Sequence, residues 1–130
     1  MPSPADLRYS DTHEWARLEG QVVTVGITAF AVDQLSDITY VDLPRVGDRA
    51  SAGQRFGEIE SVKAVSDLLS PVSGEIVEVH ETLNDDPAVI TNDPYGEGWL
   101  IRIKASDLSA LDGLKSAEAY EAFVAESESG

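Results

Sequence analysis

Cysteine is absent, and the single methionine is the first residue. A chain without thiols has no disulfides, no thiolate metal site and no cysteine nucleophile, which suits an intracellular protein without requiring one. There are two histidines, His13 and His80, far apart and not in His-x-x-x-His spacing. No Gly-x-Ser-x-Gly elbow, phosphate-binding loop or Gly-x-Gly-x-x-Gly fingerprint occurs. No apolar run approaches membrane-spanning length. The start, Met1-Pro2-Ser3-Pro4-Ala5-Asp6, has neither the features of a secretory signal nor the arginines of a transit peptide. Positive charge is scarce as well. The net charge is −15, and no Lys or Arg occurs from Ala64 to Ile101, where Asp67, Glu75, Glu78, Glu81, Asp85, Asp86, Asp93 and Glu97 all stand. Such a field repels nucleic acid and anionic lipid. It favours protein partners with basic docking surfaces, although solubility alone would explain the charge. These absences exclude most enzyme classes, unless a cofactor bonded to a side chain brings the chemistry with it.

What is present reads as one mainly β domain over residues 1–125, followed by a disordered acidic tail at 126–130. Gln21 to Ile27 is rich in β-branched residues after a Glu19-Gly20 turn signal. Thr39, Val41 and Leu43 alternate with Ile38, Tyr40 and Asp42; Val77 and Val79 with Glu78 and His80; Ile101 and Ile103 with Arg102 and Lys104. Alternation with one polar face predicts half-buried antiparallel strands in a sandwich or flattened barrel. Short helices are expected at its ends. Thr28 can cap a turn with Phe30, Ala31 and Leu35. Asp86-Pro87 reads as an N-cap followed by a first helical proline. Ser106 can cap a segment ended by Gly113, and Ser116 can open a last helix using Tyr120, Phe123 and Val124.

Lys63, one of three lysines, has distinctive neighbours in Gly57-Glu58-Ile59-Glu60-Ser61-Val62-Lys63-Ala64-Val65-Ser66-Asp67, closed by Ser70-Pro71-Val72-Ser73-Gly74. We read it as an attachment point for a cofactor. Propensity alone runs a single strand through it, because Ser61, Val62, Ala64 and Val65 include no Gly, Pro, Asn or Asp. His13-Glu14-Trp15 allows a polar site near an anchored substrate, or a strand start with a buried Trp between exposed polar neighbours; residue chemistry alone favours the second. Asp85, Asp86 and Asp93 lack calcium-loop spacing and read as a solvated acidic loop. Trp15 and Trp99 read as packing residues.

Six stretches stand in order: Tyr9-Ser10-Asp11-Thr12-His13-Glu14-Trp15, Val25-Gly26-Ile27-Thr28-Ala29-Phe30-Ala31, Leu43-Pro44-Arg45-Val46-Gly47, Glu60-Ser61-Val62-Lys63-Ala64, Ser70-Pro71-Val72-Ser73-Gly74-Glu75 and Asp93-Pro94-Tyr95-Gly96-Glu97-Gly98-Trp99-Leu100. Together they resemble the H proteins of the glycine cleavage system, which are lipoyl carriers. One such motif is weak; six in register are specific. The sequence departs from the family pattern at Val32 (commonly Gln), at Ser36 within Leu35-Ser36-Asp37 (commonly Gly), at His80 (customarily Asn) and at Asn84-Asp85-Asp86-Pro87. None of these touches the lysine motif.

The resemblance implies a barrel-sandwich hybrid with Lys63 at a tight turn and a C-terminal helix beside the sandwich. It implies lipoic acid in amide linkage to Lys63. On that arm the aminomethyl group of glycine passes from the P protein, a glycine decarboxylase, to the T protein, an aminomethyltransferase. The L protein, a dihydrolipoyl dehydrogenase, reoxidises the arm, and a lipoate- or octanoyl-attaching enzyme installs it. Thr12, Glu14 and Asp67 would line a cleft that shields the cargo. The carrier would be a non-catalytic monomer, cytoplasmic in a bacterium or in the mitochondrial matrix of a eukaryote. A biotinyl carrier normally has Met beside its lysine, whereas Val62 and Ala64 stand here. A lipoyl domain of a 2-oxoacid dehydrogenase typically carries Asp-Lys-Ala. A carrier that relays lipoate to those dehydrogenases is the alternative reading.

Overall fold

The computed structural model describes residues 6–35, 37–106 and 108–129, with side chains as far as Glu126. Ser36, one of the departures above, and Gly130 of the acidic end lie outside these residues. The alternating segments form two antiparallel sheets. One has the order β1-β2-β3-β9-β8-β5, with β1 Arg8–Tyr9, β2 Glu14–Glu19, β3 Val22–Ile27, β5 Arg49–Ala50, β8 Gly74–Val79 and β9 Ile101–Ala105. The other has the order β4-β6-β7, with β4 Ile38–Asp42, β6 Arg55–Ser61 and β7 Val65–Leu69. The main core contains Val23, Val25, Ile76, Ile101 and Ile103 from the first sheet and Val41, Ile59 and Leu68 from the second. This is the expected mainly β sandwich with short peripheral helices.

The period-2 reading holds where the ladder is regular. Ile101 and Ile103 are wholly buried and pair with Val25 and Val23. It fails where the register slips. Between Ile38 and Tyr40 the pairing shifts, and Ile38 and Val41 are both buried instead of lying on opposite faces. A second shift, between Ile76 and Glu78, leaves Val77 and Glu78 both exposed, so Val77 does not share the inward face with Val79. An extra residue in one strand reverses the facing of everything beyond it.

Helix α1, Ala29–Leu35, begins as expected, with the Ala31 amide donating to Thr28 Oγ1 at 3.2 Å. Helices α2, Thr82–Asp85, and α3, Ala88–Asn92, abut. Asp86 ends α2 and Pro87 is the N-cap of α3, so the expected cap is shifted by one residue. The expected cap of the 3-10 segment Leu108–Gly113, Ser106, donates both its amide and its hydroxyl to the Ser73 carbonyl among the described residues. Helix α4, Ala117–Ser129, opens with the Ala119 amide on Ser116 Oγ at 3.2 Å. It continues through Ser129, where the sequence reading placed a disordered tail from 126. Alanine and glutamate are strong helix formers and carry it onward.

Helix α4 closes a second, aromatic core. Tyr120 stacks on Tyr9 with ring centres 4.8 Å apart, beside Leu7, Trp15 and Ala117. Trp15 is fully buried, and its Nε1 donates to the Pro94 carbonyl at 2.9 Å. Gly26 lies across from it in the β2–β3 ladder, where any Cβ would strike the indole. The segment joining β1 to β2, which leads into Glu14, is anchored by this core.

Candidate functional site

Lys63 lies at the tip of the β6–β7 hairpin and is exposed. The turn missing from the propensity reading is made by one hydroxyl. Ser61 Oγ accepts the amides of Lys63 and Ala64, each at 3.1 Å, and the Ser61 amide donates to the Ala64 carbonyl at 2.8 Å. Serine can replace a backbone turn bond in this way, though more weakly than Asn or Asp. The Val62 amide ties the tip to the Asp37 carbonyl at 3.1 Å. Val62 and Val65 flank the lysine at 65% and 57% exposure. Lys63 makes none of the ion pairs found among the described residues. The other two lysines are differently placed: Lys115 pairs with Asp11 and lies over the Phe123 ring, and Lys104 sits mid-strand opposite Val22 and Glu75.

Glu14 is the opposite kind of residue. It is 1% exposed, which contradicts its reading as an exposed strand residue. Oε1 accepts the Ser10 hydroxyl at 2.7 Å and the Thr12 hydroxyl in a short bond, and Oε2 accepts the Leu69 amide at 3.3 Å. The Glu14 amide donates in turn to Ser10 Oγ at 3.0 Å. Burial raises its pKa above the ordinary carboxylate value, against the opposing pull of the Thr12, Ser10 and Leu69 donors.

The residue before it is also fixed. His13 takes a left-handed backbone, φ 73°. Its Nδ1 lies 2.7 Å from Tyr120 Oη, which is itself 2.7 Å from Thr28 Oγ1. Its ring rests 4.7 Å from that of Phe30. Burial lowers the His13 pKa, against the attraction of Asp11. The Tyr120 hydroxyl is pushed up to about 12 by burial. Neutral partners therefore lock α1, α4 and the approach to Glu14 together.

A cleft of about 250 Å³ opens between these elements and the β7 edge. Thr12, Glu14 and Asp67 all line it, with Ile27, Phe30 and Leu68 among the apolar walls. Asp67 stands at the rim, four residues from Lys63, on the order of 13 Å along an extended strand. The Arg55 Nε donates to its Oδ1 at 3.1 Å. The structure thus brings the three cleft residues together, with the lysine beyond the cleft on the same hairpin. Sequence reasoning missed Arg55 and the wall residues. It also missed Ser10, whose available signal was two hydroxyls at two and four residues before a carboxylate.

The remaining features lie elsewhere. Trp99 stacks on His80 at 4.4 Å, with the Arg102 guanidinium 4.1 Å from its ring centre. Asp93 Oδ2 accepts the Glu97 amide at 3.0 Å, which shapes the Pro94–Gly98 loop.

An exposed amine at a braced tip is free to be acylated. A cleft with apolar walls and carboxylates beside it suits a hydrocarbon arm that ends in a cation. Comparison with known proteins gives this geometry a context. The model of the glycine cleavage H-protein family matches residues 7–127. The chain is 52% identical to a glycine cleavage system H protein of Anaeromyxobacter sp. (strain K), covering 98% of this chain and 100% of the relative. It is 51% identical to that of Bacteroides thetaiotaomicron, covering 95% and 98%. A crystal structure of a glycine cleavage system H protein from Mycobacterium marinum superposes with TM-score 0.85 at 44% identity, over 92% of this chain and 97% of the other.

Proposed function

The chain belongs to the glycine cleavage H-protein family, lipoate-carrying subunits that shuttle rather than catalyse, and from that premise we propose that Lys63 bears the lipoyl group and that the Thr12–Glu14–Asp67 cleft receives its loaded end. The observation that carries this reading is the pairing of an exposed lysine at the hairpin tip with a buried, multiply bonded carboxylate of β2 that meets the far end of the same hairpin at the Leu69 amide. Bound lipoate supplies the redox sulfurs that a chain without cysteine lacks.

The residues of the chain do the rest. Ser61 holds the tip so that Lys63 points into solvent toward an enzyme. Acylation removes the lysine charge and leaves the cleft carboxylates as the dominant local field. Glu14, already fixed by neutral donors, can accept a charge-assisted bond from a small ammonium without reorganising. An amine held as ammonium has no free lone pair to expel the neighbouring group on its carbon, so the bond slows spontaneous loss of the cargo. Apolar walls from Ile27, Phe30 and Leu68 exclude water from the same space. Tethering makes the cargo a high-concentration local reagent at each partner.

As a member of the glycine cleavage system the chain works with the other components of that system. The partners we propose are the P, T and L proteins and a lipoate- or octanoyl-attaching enzyme. Their docking faces would carry basic residues to meet the acidic surface. No helix among the described residues is long and apolar enough to cross a membrane. The compartment we propose is the cytoplasm, the relatives named above being bacterial. Peptide mapping of protein expressed with lipoate tests the attachment. One lipoyl mass is expected on Lys63 and none on Lys104 or Lys115; a lipoyl mass on Lys104 would overturn it.

A further inference from the structure

Two carboxylates line the cleft, and they are held by different means. Glu14 is held by neutral hydroxyl and amide donors. Asp67 is held by a cation. Arg55 Nε donates to Asp67 Oδ1 at 3.1 Å, and Arg55 Nη2 donates to Glu58 Oε2 at 2.6 Å. Glu58 lies directly across from Asp67 in the β6–β7 ladder, so one guanidinium spans both carboxylates on the outer face of the sheet. Arg55 is not among the residues that line the cleft, whereas Asp67 is. Asp67 therefore belongs at once to the lining of the cleft and to a guanidinium clamp on the outer face of the sheet.

We propose that Arg55 is a positioning residue that competes with the cationic cleft ligand for Asp67. This rests on the reading of the cleft given above and deepens it. A small primary ammonium in the cleft is then held by all of Glu14 but only a share of Asp67, so the carrier grips its cargo and still gives it up. The sign of the effect is diagnostic. Loss of a structural brace would loosen the cleft and weaken binding. Loss of a competing cation frees Asp67 and strengthens binding. Exposed ion pairs of this type shift an equilibrium by at most about fivefold, which sets the size to look for.

The test uses the full chain without lipoate, labelled with ¹⁵N, and follows the Asp67 and Leu69 amides while methylammonium chloride replaces sodium chloride at constant total salt. Arg55→Gln is expected to tighten the apparent methylammonium affinity by about two- to fivefold. Arg55→Lys, which keeps the charge, should stay near the wild type. Arg49→Gln removes the same charge at β5, away from the cleft lining, and should change nothing. In an Asp67→Asn background, Arg55→Gln should lose its effect. Unchanged or weaker affinity in Arg55→Gln, or equal tightening in Arg49→Gln, would overturn the competition. Failure of the underlying reading looks different: Asp67→Asn and Glu14→Gln would both then titrate like the wild type.

Discussion

The tip of the β6–β7 hairpin and the Glu14 site lie at two ends of one strand edge, and they are built in opposite ways. At the tip a single serine hydroxyl makes the turn, valines stand exposed, and Lys63 has no ion-pair partner among the described residues. At Glu14 the carboxylate is buried, accepts hydroxyls from two residues and an amide from β7, and adjoins a histidine locked to two helices. On the function proposed above, the group that visits several enzymes is left free, and the group that holds the cargo between visits is immobilised before the cargo arrives. Preorganised donors and acceptors bind without the cost of ordering them.

The contrast can be broken from either side. The largest effect belongs to the tip. Lys63→Arg keeps the charge but removes the acylatable amine, and lipoyl mass should vanish entirely, whereas Glu14→Gln should be lipoylated to the wild-type extent. Reduced lipoylation of Glu14→Gln would show that the two regions are not separable. Next in size is the response to salt. Partners docking at the tip enter an acidic field that starts at Asp67, and exposed charges are screened over about 10 Å at 0.1 M salt. Association rates with the P and T proteins should fall severalfold from low to high salt, and rates indifferent to salt would confine the acidic surface to solubility. The smallest effect concerns the turn itself. Ser61→Ala removes three exposed hydrogen bonds and should lower unfolding stability by about 1 kcal/mol, read as a modest fall in the denaturation midpoint with lipoylation slowed rather than lost.

The regular parts of the fold were legible, and the informative exceptions have identifiable causes. β9 shows its buried face directly in the alternation of Ile101 and Ile103 with Arg102 and Lys104, and β3 shows its burial in its run of β-branched residues. β4 and β8 do not, because a bulge in each changes which residues face inward, and no propensity marks a bulge at Ile38 or Ile76. The hairpin tip was hidden because serine is a weak turn former and the valines around it favour strand. The burial of Glu14 was hidden for another reason. Its third donor is the Leu69 amide, remote in sequence, and a carboxylate looks solvent-bound until its donors are seen to converge. Thr12 and Asp67 entered as candidates only through family resemblance, and Glu14 was favoured as a candidate only through it, since residue chemistry alone preferred an exposed strand residue. Arg55 entered through geometry alone.

The division between free tip and fixed holder is tested most directly by formaldehyde release from loaded carrier, without T protein, in wild type and Glu14→Gln across a range of pH. A charge-assisted bond shielded from water contributes about 1.5–3 kcal/mol, and a partly wet cleft leaves about tenfold in rate. The wild type should therefore release formaldehyde about tenfold more slowly than Glu14→Gln at neutral pH. Burial raises the pKa of Glu14, so as pH falls its carboxylate takes up a proton above the ordinary carboxylate range and can no longer hold an ammonium. The two proteins should then converge in acid. Equal release at neutral pH, or a constant ratio down through the carboxylate range, would contradict the assignment of Glu14 as the residue that holds the cargo.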